Sequence, residues 1–143
     1  MAETNFPNGI STSSIIEATA AAGVTLDGVQ LKDGAVKRTP VNVSANGAIA
    51  VPPGDTVYVI TKAGVAAMTI VDPTAGTDDG KVLTFISATA NAHTLSNGAG
   101  SGFNSAGAAG DIGTFGGAIG DGLQITAWNG KWLVNYLRNV TLA

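Results

Sequence analysis

Two runs of alternating side chains, Leu123-Gln124-Ile125-Thr126-Ala127-Trp128 and Lys131-Trp132-Leu133-Val134-Asn135-Tyr136, meet across the pair Asn129-Gly130. Alternation at a period of two sends successive side chains to opposite faces of a strand. Asn-Gly tolerates the positive φ angles of a two-residue type I′ turn. Together they predict a β-hairpin. Its register sets Trp128 opposite Lys131 and turns Trp132 to the other face. Trp132, Val134 and Tyr136 then share one face, which reads as core, while Trp128 at the turn reads as exposed.

The same period runs upstream. Val24-Thr25-Leu26, Val29-Gln30-Leu31 and Ala35-Val36-Lys37 are separated by Asp27-Gly28 and Asp33-Gly34, which predicts very short strands or a bulged ribbon. Val41-Asn42-Val43 and Ala48-Ile49-Ala50-Val51 flank an Asn46-Gly47 turn, and Pro52-Pro53 breaks the chain. Thr56-Val57-Tyr58-Val59-Ile60-Thr61 is β-branched or aromatic throughout and suits a central strand. Further strands are expected at Ala66 to Val71 and at Lys81 to Ser87. Residues 88–112 are mostly small and polar, and predict a long surface loop with a short strand near His93-Thr94-Leu95. A loop of that length is functional or held by a partner. Many short strands with turns at spacings of about 8–12 residues indicate a sandwich, jelly roll or barrel. The expected fold is all-β, a jelly-roll-like β-sandwich over residues 24–143, preceded by an extended N-terminal arm over residues 1–23.

The arm breaks the pattern. Asn5-Phe6-Pro7-Asn8-Gly9-Ile10 is irregular, with two isolated apolar side chains. Ser14-Ile15-Ile16-Glu17 fits a capping box, and Gly23 suits a helix stop after Ala18 to Ala22. So short a helix is marginal by itself and calls for a surface to dock on.

Charge narrows the function classes. Charged residues are 12% of the chain and the net charge is -3, against roughly a quarter charged in an ordinary domain. The seven basic residues are scattered, which argues against nucleic acid as a partner. Met1-Ala2-Glu3 opens without a basic region or apolar core, so no secretory signal is expected. No apolar run approaches the length of about 18 residues needed to span a membrane. Without cysteine, no disulfide or thiolate site is possible. So little surface charge fits a chain that hides much of its surface in an assembly.

Candidate chemistry is sparse. His93 is the lone histidine and would have to serve any hydrolase triad, yet no acid lies near it in sequence; a loop or strand-edge role is expected. Asp72, Asp78 and Asp79 lack the order of an EF-hand, and Asp78-Asp79-Gly80 is explained by turn chemistry. Gly116-Gly117-Ala118-Ile119-Gly120-Asp121-Gly122 precedes a predicted strand rather than the helix that a nucleotide loop needs; close backbone approach is the expected reason for its glycines. Trp128, with Trp132 and Tyr136, could form an aromatic platform for a sugar. No catalytic residue, metal ligand or cofactor is assigned.

The run Asp72-Pro73-Thr74-Ala75-Gly76-Thr77-Asp78-Asp79-Gly80-Lys81-Val82, the block Thr114 to Gly122, and Asn129-Gly130-Lys131-Trp132 resemble small virion proteins of tailed bacteriophages. The opening Asn5-Phe6-Pro7-Asn8-Gly9 is similar to the start of phage capsid decoration, or cementing, proteins. The resemblance implies a structural protein on the outer surface of the virion that clamps neighbouring major capsid protein subunits, as a dimer or trimer. It implies a capsid-binding arm carried by Asn5, Phe6, Pro7, Asn8 and Ile10, with Phe6 and Ile10 as apolar anchors. Phage fibre proteins share such blocks, so a fibre module that binds a host-surface glycan through Trp128 is the alternative.

Overall fold

Short segments rich in Val, Ile, Thr and aromatic residues satisfy their backbone groups by lateral pairing, and this chain does so throughout its described part. The structure, a computed structural model, describes residues 40–97, 101–105 and 112–143, all within one compact unit that begins at Lys37. The arm residues Asn5, Phe6, Pro7, Asn8 and Ile10, the two Asp-Gly pairs and the expected boundary after residue 23 lie outside the described residues.

The described strands are β1 (Val41–Val43), β2 (Gly47–Ile49), β3 (Thr56–Ile60), β4 (Ala67–Ile70), β5 (Val82–Ser87), β6 (Thr94–Asn97), β7 (Ile112–Phe115), β8 (Gly122–Trp128), β9 (Lys131–Arg138) and β10 (Val140–Leu142). Sheet one has the order β1-β3-β5-β8-β9 and sheet two the order β10-β7-β6-β4-β2. Their inner faces share one core, with Phe85, Leu123, Ile125 and Trp132 from sheet one meeting Met68, Ile70, Leu95 and Phe115 from sheet two. The expected β-sandwich is therefore present.

The direction of pairing is what alternation leaves open. β1, β3 and β5 run parallel, and so do β2, β4 and β6. The chain thus passes from sheet one to sheet two and back three times, laying each pass beside the last. Asn46-Gly47 is a corner between sheets, because β1 and β2 do not pair. The last two passes are in step over 27 residues, as the bonds between Thr69 and Ser96 and from Thr89 to the Lys62 carbonyl record. In this register Tyr58 lies beside Phe85, and their rings stack at 4.8 Å. Burial pushes the Tyr58 hydroxyl pKa up. Strands β7 to β10 then close both sheets with antiparallel pairs.

The predicted hairpin is β8–β9, with Trp128 opposite Lys131 and Asn129 and Gly130 both at positive φ. Trp132 is fully buried and its indole N–H donates to the Val71 carbonyl at 2.9 Å. Tyr136 departs from expectation. Gln124 pairs with Tyr136 but Ile125 pairs with Val134, so Asn135 is an extra residue in β9. A bulge of one residue reverses the faces beyond it. Tyr136 consequently points outward, 56% exposed, instead of joining the core.

Within the predicted loop over residues 88–112 the expected short strand is β6, and a 3-10 turn that was not expected, Phe103–Ser105, has its Phe103 fully buried. Asn104, at φ 59, turns its side-chain oxygen onto the Val134 N–H in β9. Burial of Phe103 and the Asn104 bond to β9 together hold residues 103–105 against the sandwich.

Candidate functional site

Turns in a sandwich gather at its ends, and their polar side chains are the natural place to look for chemistry. All five aspartates among the described residues are engaged by the fold, Asp78 and Asp121 within their own turns and the other three between distant segments. Asp55 accepts the Val82 N–H, and Asp79 accepts the Asn129 N–H. Asp72 accepts the amide of Asn97 and the hydroxyl of Ser101. Asp78 accepts the Lys81 ammonium at 2.6 Å and the Thr74 N–H at 2.7 Å. These two bonds, the Lys81 contact foremost, hold its carboxyl below the usual carboxylate range. The expected turn role of Asp78-Asp79-Gly80 is what the structure gives. Among the described residues no three His, Asp or Glu side chains cluster as metal ligands do.

Asp121 is the carboxylate that sequence reasoning passed over. It is buried, with its oxygens on the Ala118 N–H and the Asn139 amide. The Ala118 bond is the main reason its pKa lies low. Gly120-Asp121-Gly122 carries the signal, since an Asp between glycines is turn chemistry. The surrounding glycines admit close neighbours. A Cβ on Gly116 would fall 2.2 Å from the Asn139 side chain, and one on Gly122 would fall 3.2 Å from the Phe85 carbonyl. The block leads into β8, so no helix N-terminus stands ready for a phosphate.

His93 lies in the loop directly before β6, as expected, but it is fully buried and not part of a loop surface. Its Nδ1 accepts the Ala66 N–H at 3.0 Å, which assigns the ring proton to Nε2 and the Nε2 bond to the Thr89 hydroxyl. Thr89 in turn donates to the Lys62 carbonyl. Burial, and then the charge of Lys62, push the His93 pKa down. Both nitrogens are engaged, and no carboxylate is among their partners.

The aromatic platform does not assemble. Trp128 is 61% exposed at the hairpin turn, as expected, but Trp132 is buried and Tyr136 lies further along β9.

Two outer faces remain. On sheet two, the rows Ala67-Thr94-Thr114-Thr141 and Ala48-Thr69-Ser96-Ile112 face outward, and none of its five strands contains a charged residue. On sheet one, Thr84, Ile86, Gln124, Tyr136 and Arg138 border a cleft of about 360 Å³ over Gly120 and Gly122. Neither face was legible beforehand, because assigning side chains to faces requires the register. No family model matches the chain, and none of the curated proteins matches it.

Proposed function

We propose that this chain is a structural virion protein of the capsid-decoration kind, which binds the outer surface of a tailed-phage head and cements neighbouring major capsid subunits. The observation that supports it most is the uncharged outer face of sheet two. Burying charge is costly and burying small neutral side chains is not. The hydroxyls of Thr69 and Ser96 bond each other, and Ser96 also reaches the Met68 carbonyl, so part of the face's polarity is already satisfied. The engagement of each described aspartate in hydrogen bonds of the fold favours a scaffold over a catalyst. In this reading Asn5, Phe6, Pro7, Asn8 and Ile10 form the attaching arm, and copies of the chain associate as a dimer or trimer.

The test is co-sedimentation with capsids lacking the protein. Full-length chain should pellet with them at a fixed ratio to the major capsid protein, and a chain without residues 1–12 should remain folded but bind far less. Equal binding by the shortened chain removes the arm's role, and no binding by the full chain removes the proposal. A second reading, a fibre module that takes a host glycan at Trp128, draws support from the exposure of that indole. It predicts that Trp128→Ala loses glycan binding without loss of fold.

A further inference from the structure

We propose that the cleft on the outer face of sheet one binds a carboxylate-bearing sugar, of the uronic or sialic acid type. This rests neither on capsid attachment nor on Trp128.

The cleft follows from two glycines and a bulge. Gly122 lies between Ile86 on β5 and Arg138 on β9 and contributes no side chain to the outer face. A pit is left there, floored by backbone. Gly120, at φ +87, lies under the Arg138 guanidinium, with 3.7 Å separating its Cβ position from the nearest nitrogen. The extra residue Asn135 brings both Tyr136 and Arg138 onto this side. Without it they would face inward.

The groups around the pit keep hydrogen-bonding capacity of complementary kinds. Arg138 has no hydrogen bond or ion pair among the described residues. The nearby Asp121 influences it through charge alone, because the Asp121 oxygens are taken by Ala118 and Asn139. Gln124 donates its amide N–H to Thr84 Oγ1 at 3.1 Å, which leaves the Gln124 carbonyl oxygen as an acceptor and the Thr84 hydroxyl proton as a donor. Tyr136 offers a ring and a hydroxyl. A guanidinium recognises a planar carboxylate by a fork of two bonds. An exposed aromatic ring takes the C–H face of a pyranose, and an amide–hydroxyl pair reads its hydroxyls. The volume is at the low end of the range of about 300–1,000 Å³ for small-ligand sites. It suits one sugar unit with the rest of a glycan in solvent.

The test is an NMR titration of the ¹⁵N-labelled full chain with N-acetylneuraminic acid and with glucuronic acid, and with glucose and acetate as controls. At least one sugar acid should move the amides of Gly120, Gly122, Gln124 and Tyr136 and leave the Trp128 indole in place. Arg138→Gln should weaken that binding about tenfold or more, as loss of a charged hydrogen-bonding partner does. Arg138→Lys should restore only part of it, and Trp128→Ala should change nothing. The proposal is overturned if neither acid moves these amides, if glucose binds as well as the acids, or if Arg138→Gln is neutral. It is equally overturned if acetate alone reproduces the whole effect, which would mark an anion site without a sugar.

Discussion

Acidification should destabilise this domain through one side chain, His93. The imidazole is neutral in the fold because Nδ1 accepts the Ala66 N–H and no water reaches the ring. Protonation would set an N–H against that amide and place a charge in a site closed to solvent and within the field of Lys62. The folded pKa therefore lies below the unfolded value of about 6.5. The sign follows directly. Above about pH 6.5 neither state binds the proton and stability is full. Below it the unfolded chain binds a proton that the folded chain refuses, and stability falls until the folded pKa is reached. One proton sets an upper limit of about 1.4 kcal/mol per pH unit on the slope, so one unit below the unfolded pKa the loss is at most about 1.4 kcal/mol. For a domain of this size that lowers the melting temperature by at most about 4–6 °C. Asp78 and Asp121 have lowered pKa values, so their contribution is intact above about pH 4 and disappears only below it. Urea denaturation at several pH values between about 7 and about 5, on the natural chain and on His93→Gln, measures the effect. The natural chain should weaken on acidification while His93→Gln, less stable at neutral pH, should stay nearly flat. Parallel losses in the two proteins, or a flat profile in the natural chain, would refute the assignment.

Three further outcomes are expected. Gly116→Ala drives a methyl into the Asn139 side chain and should cost about 1–3 kcal/mol, with a smaller cost in an Asn139→Gly background, as urea melts around the four-protein cycle would record. Trp132→Phe removes the indole bond to Val71 and leaves a void, for a loss of about 2–4 kcal/mol, whereas Trp128→Ala should remain within about 0.5 kcal/mol; acrylamide should quench the Trp128 emission and leave that of Trp132. Deletion of Asn135 turns Tyr136 and Arg138 toward the core and should unfold the domain or make it insoluble, while Asn135→Ala keeps the bulge and should cost no more than about 1 kcal/mol, which near-ultraviolet circular dichroism distinguishes.

The parts of this fold that could be read in the sequence are those fixed by neighbours in the chain. The Asn129-Gly130 hairpin is local, and Trp128 and Lys131 face each other as its turn demands. Strands β3, β4 and β5 announce themselves by composition. Pairing direction is not local. Val41 lies beside Tyr58, and Tyr58 beside Phe85, because the chain returns through sheet two each time, and neither Asn46-Gly47 nor Asp78-Asp79-Gly80 shows whether its chain turns back or crosses over. Tyr136 lies on the face opposite to the one that simple alternation predicts for a related reason, since one unpaired residue, Asn135, has no signature of its own. His93 and Phe103 lie among small polar neighbours that read as a surface loop, yet each is buried in the fold. The sugar cleft combines all three difficulties, as it needs the bulge, the register and a missing side chain at Gly122.

The two outer faces point away from each other, and charge separates their uses. Lys131 and Arg138 lie on the sheet-one side through their pairing with Trp128 and Gly122, whereas the strands of sheet two are neutral. Covering sheet one would desolvate two cations that make no hydrogen bond or ion pair among the described residues, at a cost of several kcal/mol each. A domain that attaches by a sheet face therefore attaches by sheet two, and the cleft and Trp128 stay open to solvent. Size sets the limit of that contact. Five strands of three or four residues span only about 300 Å² at ordinary strand spacings. A stable interface takes about 800 Å² from each partner. Sheet two alone cannot supply this, so firm attachment in the proposed role has to draw most of its area from elsewhere on the chain or from several copies acting together. The arm at Asn5 to Ile10 and association as a dimer or trimer are the two sources the proposal names. Binding by a chain lacking residues 1–12, measured as a function of protein concentration, separates them: dependence on the arm appears as a loss at every concentration, and dependence on copies as a steep rise with concentration.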